Sequence, residues 1–126
     1  MAAIVAAGLL TACGSVGGRE QAADVAVRQL FDAIAAGDGG AACALLAPDT
    51  ADAVAEDQPC AEAILDEDLP DDPGEVTDTE VYGQRAQVKL TGDTVFLGVF
   101  PGGWRVVAAG CTPQTGGKPY ECVVQG

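Results

Sequence analysis

The sequence contains no histidine, so the side chain that enzymes use most often as a general base is missing. It has no Gly-x-Ser-x-Gly motif and no glycine-rich phosphate loop. The cysteines form no Cys-x-x-Cys pair, and without histidine they match no common zinc pattern. We therefore expect a non-enzymatic protein that needs no metal and no cofactor.

Basic residues are also scarce. The chain has 6 Lys and Arg against 19 Asp and Glu, which is a formal net charge of −13 at pH 7. A chain this acidic would repel the phosphates of nucleic acids and the headgroups of anionic lipids. We expect no nucleic-acid partner, and attachment to a membrane would have to come from something other than charge.

The charge is uneven along the chain. No Lys or Arg lies between Gln29 and Gln84, whereas 11 acidic residues lie between Glu56 and Glu80. Their spacing does not match an EF-hand calcium loop, which needs a glycine at its sixth position and a glutamate at its twelfth. The pattern favours a solvated acidic loop between two elements, with a calcium site as the alternative. Such a loop could face a basic envelope protein.

Long apolar runs are absent, and the run from Ala2 to Leu10 is too short to span a bilayer. It leads directly into Leu10-Thr11-Ala12-Cys13. This order resembles a bacterial lipoprotein signal peptide, whose lipobox ends in a cysteine linked to diacylglycerol. The resemblance implies cleavage before Cys13 and a lipid anchor on the extracytoplasmic face of the cell membrane.

The lipobox divides the chain into a signal peptide at 1–12, a lipidated Cys13 with a tether through residue 19, and one domain at 20–126. No Lys or Arg precedes the apolar run, whereas a signal peptide needs a positive start. We therefore expect the true start to lie upstream of Met1. The alternative to a lipobox is a buried N-terminal segment with a free thiol at Cys13.

Four cysteines remain after Cys13 is assigned to lipid. An even number behind an export signal predicts disulfides, and four cysteines allow three pairings. We favour the local pairing, because each bridge would then close a short loop and stabilise the domain by about 2–4 kcal/mol. The predicted disulfides are Cys43–Cys60 and Cys111–Cys122.

The first half of the domain predicts helices that begin at Glu20, Ala41 and Pro59. The first is amphipathic, since apolar residues such as Val27, Leu30 and Ile34 recur on one face. Pro48 ends the second helix, and a short turn runs from there through Val54. Three N-terminal helices are therefore expected.

After Gly74 the hydrophobic period changes from that of a helix to that of strands. Apolar and polar residues alternate over 86–90, and glycine-containing turns separate the runs. Five strands are predicted, at 76–82, 86–90, 94–100, 104–111 and 120–124. The order predicts an α+β fold, with the helices packed on a curved antiparallel sheet.

This order resembles the cystatin-like cone of the nuclear transport factor 2 superfamily. The helix and turn at 26–38 are similar to the opening of that fold, and so is the turn that leads into a strand at 101–106. More narrowly, segments 104–113 and 120–122 resemble small secreted actinobacterial lipoproteins of uncharacterised function. The resemblance implies a fold and a location but no activity, because this cone hosts enzymes and binding modules alike.

Some cone enzymes, isomerases and dehydratases, use a pocket Asp, His or Tyr. The candidates here are Asp32, Tyr82 and Tyr120. None has a partner base in view: Asp32 fits a solvated charge better, and both tyrosines fit sheet-packing residues with the hydroxyl at the rim better. An enzyme of this type is the alternative to the expected non-enzymatic function.

A binding pocket at the mouth of the cone is a further prediction. Its candidate lining residues are Phe31, Phe96, Phe100 and Trp104. The sequence favours the other interpretation, in which these aromatic side chains fill the core of a small domain that has few other large ones. The expected partner is therefore a small apolar ligand or an envelope protein.

Overall fold

The computed structural model describes residues 16–126, with side chains from Gly17 onward. The predicted signal peptide and Cys13 lie outside the described residues. Helices come first and strands follow. The elements are α1 (Val16–Ala35), α2 (Gly39–Ala44), α3 (Pro48–Val54), α4 (Cys60–Asp66), β1 (Val76–Tyr82), β2 (Arg85–Leu90), β3 (Thr94–Phe100), β4 (Gly103–Thr112) and β5 (Glu121–Gln125). This is the expected α+β order.

Helix α1 buries the apolar face that the sequence predicts, with Val27 and Leu30 fully inaccessible to solvent. It begins at Val16, four residues before the predicted start at Glu20. The reason lies in Arg19, whose guanidinium donates a hydrogen bond to the Gly83 carbonyl and lies 5.5 Å from the ring centroid of Trp104. These contacts hold the first turns of α1 against the sheet.

The described residues contain four helices, where three were expected. The additional one is α3, which the sequence predicts only as a short turn. Pro48 was expected to end a helix, but it occupies the first turn of α3, where its missing N–H costs nothing. Thr50 then anchors α3, because its side chain is fully buried and its hydroxyl donates to the Val107 carbonyl at 2.8 Å.

Two disulfides join neighbouring elements. Cys43 and Cys60 connect α2 to α4, with their Cα atoms 6.2 Å apart. Cys111 and Cys122 connect β4 to β5 at directly paired positions. The structure therefore has the local pairing that the sequence predicts.

The five strands form one antiparallel sheet in the order β1-β2-β3-β4-β5. Strands β1 and β3 have the predicted bounds, β2 begins one residue earlier than predicted, and β4 and β5 differ from prediction by one residue at each end. The register shifts once between β3 and β4: Phe96 pairs with Ala108, whereas Leu97 pairs with Val106. Val107 is the extra residue of this bulge, which bends β4 where α3 meets it.

The core lies between the helices and one face of the sheet. Ala86, Val88 and Leu90 alternate along β2 with their side chains buried against this core. The residues between them, such as Gln87, point to the opposite side. We call that side of the sheet the open face, because the side chains of the buried hydrophobic core lie on the opposite side. Within residues 16–126, no helix is long and apolar enough to cross a bilayer.

Candidate functional site

The open face carries a cleft at the point where α3 meets the sheet. Its volume is about 320 Å³, at the lower end of the range of small-molecule sites. We call it the α3 cleft. The residues that line it are Ala47, Pro48, Asp49, Thr50, Arg85, Phe100, Val107 and Gly126.

The backbone of the segment before α3 builds one wall of the cleft. Leu46 forms a bridge with Val106 of β4, because Ala47 N–H donates to the Val106 carbonyl and Val106 N–H donates to Leu45, each at 2.8 Å. The bridge places the first turn of α3 at the edge of β4. The Thr50 hydroxyl fixes that turn on the bulge at Val107.

The floor of the cleft is apolar. Phe100 and Val107 are both half-buried on the open face. A Cβ atom at Gly98 would lie 3.1 Å from Cε2 of Phe100 and 3.6 Å from Cγ2 of Val107. The absence of a side chain at Gly98 therefore lets the Phe100 ring lie close against the strand, which leaves space above it.

Two charged side chains of opposite sign border this floor. Arg85 comes from β2 and Asp49 from the first turn of α3, and both are exposed. Neither side chain has a hydrogen-bond or ion-pair partner among residues 16–126. Among the side chains described in 16–126, the α3 cleft thus combines an apolar floor with the guanidinium of Arg85 and the carboxylate of Asp49, an arrangement suited to a small amphipathic molecule.

The structure does not bring the four predicted pocket aromatics together in one cavity. Phe100 lies in the α3 cleft, whereas Trp104 is buried beneath Arg19. Phe96 packs edge-on against the ring of Tyr120, with centroids 5.1 Å apart. The reason is strand alternation: residues of even number on β3 face the open side, and Trp104 on β4 faces the core.

Phe31 borders a second cleft, of about 360 Å³, between α1 and the loop before β1. Its apolar floor is formed by Phe31 and Leu90, which are almost fully buried. Asp32, one of the catalytic candidates, lies at its rim with Asp72. Within residues 16–126, no group of three or more acidic or cysteine side chains is arranged to hold a metal ion.

The three catalytic candidates lie apart from one another. The Tyr120 hydroxyl accepts a hydrogen bond from Nε2 of Gln87 at 3.3 Å. Tyr82 is 53% exposed at the end of β1, and Asp32 belongs to the second cleft. The structure therefore brings no two of them together as an acid and a base.

Asp93 is a residue whose importance sequence reasoning missed. Its carboxylate accepts hydrogen bonds from the backbone N–H groups of Thr94, Gly110 and Cys111, at 2.8–3.0 Å. Burial raises the pKa of Asp93 above its ordinary value of 3.8, although these N–H donors partly offset the rise. Because all three contacts are to backbone, Asp93 acts as a clamp between the β2–β3 turn and β4.

Sequence reasoning also missed Asp49, Arg85 and Val107 as site residues. One signal was available: Arg85 is the first basic residue after Arg28, and it follows directly on the most acidic part of the chain. No protein-family model matches this chain, and no curated protein and no solved structure is significantly similar to it. The site is therefore interpreted from its own geometry.

Proposed function

We propose that this protein is a lipid-anchored, extracytoplasmic binding protein without enzymatic activity, and that its α3 cleft binds a small amphipathic molecule. The observation that carries the proposal is the cleft itself. The apolar surface of Phe100 and Val107 lies beside the guanidinium of Arg85, which has no partner within residues 16–126. Ligand sites typically combine such an apolar surface with a few polar groups that orient the ligand.

The proposed location rests on the cysteines. The two disulfides of the domain favour an oxidising compartment outside the cytoplasm. The sequence around Cys13 fits a lipobox, which would hold the domain at the outer face of the cell membrane. Substitution Cys13→Ala should leave the protein unprocessed or unanchored, and membrane retention of a normally processed variant would refute the anchor.

We further propose that the helices and the five-stranded sheet form a cystatin-like cone, as in the nuclear transport factor 2 superfamily. A helical layer followed by an antiparallel meander supports this assignment. The assignment to small actinobacterial lipoproteins is likewise a proposal, which rests on segments 104–113 and 120–122. Both concern fold and origin, and the proposed binding activity depends on neither.

An envelope-protein partner is a second candidate, because the loop that joins α4 to β1 presents several exposed carboxylates. Asp66, Asp68 and Asp71 are exposed around the loop that joins α4 to β1, and within residues 16–126 none of them has an ion-pair partner. A basic protein could bind there through charge complementarity. Such an association should weaken with salt over 0.05–0.5 M, whereas binding of an apolar ligand should change little.

The experiment that tests the main proposal is native mass spectrometry of the protein from its own host, extracted in mild detergent. We expect a population heavier than the lipidated protein by the mass of a small molecule. The Phe100→Ala variant should lose this species, because Phe100 forms the floor of the cleft. The neighbouring Val99→Ala variant is the matched control, since Val99 is 39% exposed and is not part of the cleft.

Two outcomes would contradict the proposal. One is a retained molecule that survives in Phe100→Ala, which would place its site elsewhere. The other is a wild-type protein that carries no small molecule and whose thermal midpoint does not change with any compound of an amphipathic metabolite library.

A further inference from the structure

We infer that the ligand of the α3 cleft is a zwitterion of dipeptide size with an apolar side chain. This inference rests on the proposed function and names its substrate class. The geometry points to a molecule whose carboxylate meets Arg85, whose ammonium group meets Asp49 and whose side chain covers Phe100. Such a molecule pairs both charged side chains of the cleft at once.

The two charges are carried by opposite sides of the cleft. Arg85 belongs to β2, and Asp49 belongs to α3, which lies at the far edge of β4. Strand β3 lies between β2 and β4 in the sheet. The segment that leads into α3 pairs with β4, so three strand spacings of about 4.8 Å, roughly 14 Å, separate the backbones of the two sides. An extended dipeptide spans about 7 Å, a hydrogen bond of about 2.9 Å at each end brings this to roughly 13 Å, and the side chains of Arg85 and Asp49 cover the rest.

The charges also exclude simpler ligands. A plain carboxylate would gain the contact with Arg85 but would be repelled by Asp49 and by the net charge of −13. A plain amine would gain the contact with Asp49 but would be repelled by Arg85. A zwitterion carries no net charge, and it pairs both groups, each through a charge-assisted hydrogen bond.

The floor determines what the middle of the ligand has to be. Phe100, Val107 and Pro48 present apolar surface between the two charges, and no polar side chain lies with them there apart from Thr50. The Thr50 hydroxyl already donates to the Val107 carbonyl. An apolar side chain is therefore favoured over a polar one, and the volume of about 320 Å³ limits the ligand to a small peptide.

The test is calorimetric titration of the full protein, in mild detergent, with the dipeptide alanyl-phenylalanine. Three derivatives serve as probes: the N-acetyl dipeptide, the dipeptide amide and the doubly blocked N-acetyl amide. We expect each single block to weaken binding about tenfold, because it removes one charged hydrogen bond. Arg85→Gln should bind the free dipeptide about tenfold more weakly and no longer distinguish it from its amide.

Asp49→Asn should behave in the complementary way and no longer distinguish the dipeptide from its N-acetyl form. Matched controls lie on the same elements. Lys89→Gln changes an exposed cation on β2, and Asp52→Asn changes an exposed carboxylate on α3, both outside the cleft. Neither control should alter affinity by more than about twofold, since the exposed charge is distant and screened.

The outcomes distinguish a failure of this inference from a failure of the proposed function. If the doubly blocked peptide binds as tightly as the free dipeptide, the zwitterion is wrong but an amphipathic site at the cleft stands. If Phe100→Ala also leaves the binding of these peptides unchanged, the cleft is not the site. If no peptide probe binds while the native protein retains another small molecule lost in Phe100→Ala, the dipeptide class is wrong and the cleft remains.

Discussion

The two faces of the sheet differ in how completely they are covered. On the helix side, Val88, Leu97 and Val106 are inaccessible to solvent, packed in one cluster with Leu30 of α1. On the open face, Phe96 and Phe100 remain half-exposed although they belong to the same central strand as Leu97. The comparison indicates that one face supplies most of the packing energy and that the other is available for binding.

The same contrast holds for polar groups. Among the described residues, no buried side-chain nitrogen or oxygen lacks a hydrogen-bond partner. Thr50 and Asp93 show how this is achieved, since each contacts backbone groups of β4. Arg85 and Asp49, on the open side, have no such partners within residues 16–126. Polar groups that stabilise the fold are satisfied, and the charges proposed to bind ligand are left free.

The largest effect should come from a core residue on the covered face. Leu30→Ala removes a fully buried side chain, so we expect a loss of about 3–5 kcal/mol in the free energy of unfolding. Val25→Ala is the matched control on the same helix, because Val25 is 46% exposed, and it should change stability by no more than about 0.5 kcal/mol. Urea denaturation measures both, and equal losses would refute the contrast between the faces.

The next effect concerns the helical layer. The double variant Cys43→Ala, Cys60→Ala opens a loop between residues 17 apart, and we expect a loss of about 3 kcal/mol. Helices α2 and α4 are only six and seven residues long, so without the bridge they should open locally. Hydrogen exchange should accelerate most in these two helices. Uniform acceleration across the sheet would show that the bridge stabilises the whole domain equally.

The strands could be predicted because the sheet has one covered face. Burial on one side imposes a period of two, as in Ala86, Val88 and Leu90, and the turns between strands contain glycine or proline. The disulfides followed from their short spacing. Helix α3 was harder to predict from the sequence, because it is anchored by the contact of Thr50 with Val107, 57 residues away. Local sequence does not report such a contact.

The candidate site was harder to predict for the same reason. Asp49 and Arg85 are brought together by the bridge between Leu46 and Val106, and neither residue belongs to a recognisable motif. Of the aromatics expected to line one pocket, Phe100 alone lies in the α3 cleft. Strand register decides which side of the sheet a side chain faces, and a one-residue bulge at Val107 is enough to change it.

A smaller effect is expected at the clamp that joins the β2–β3 turn to β4. In Asp93→Asn the amide group would face the N–H of Gly110 or of Cys111, which leaves one donor without an acceptor. We expect a loss of about 1–3 kcal/mol, measured by urea denaturation. Asp68→Asn is the control, because Asp68 lies beside the same turn but is exposed. Comparable losses in both would show that charge, and not the clamp, is responsible.

The clamp also predicts a pH dependence. Because burial raises the pKa of Asp93 above 3.8, the folded state binds this proton more tightly than the unfolded state. The stabilising contribution of the proton is complete below pH 3.8 and is lost as pH rises through the raised pKa. The difference in stability between wild type and Asp93→Asn should therefore be larger in acid than at neutral pH. A difference that grows toward neutral pH would show that the three N–H donors outweigh burial.

The smallest loss of stability is expected on the open face, which the comparison treats as lying outside the core. Tyr120→Phe keeps the edge-on contact with Phe96 and removes only the hydroxyl that accepts from Gln87, so the expected loss is about 0.5–1 kcal/mol. Tyr82→Phe is the matched control, since Tyr82 is 53% exposed, and it should have no measurable effect in thermal unfolding. A loss at Tyr120 as large as that of Leu30→Ala would mean that the open face is also part of the core, and the argument that it is free to bind a ligand would fail.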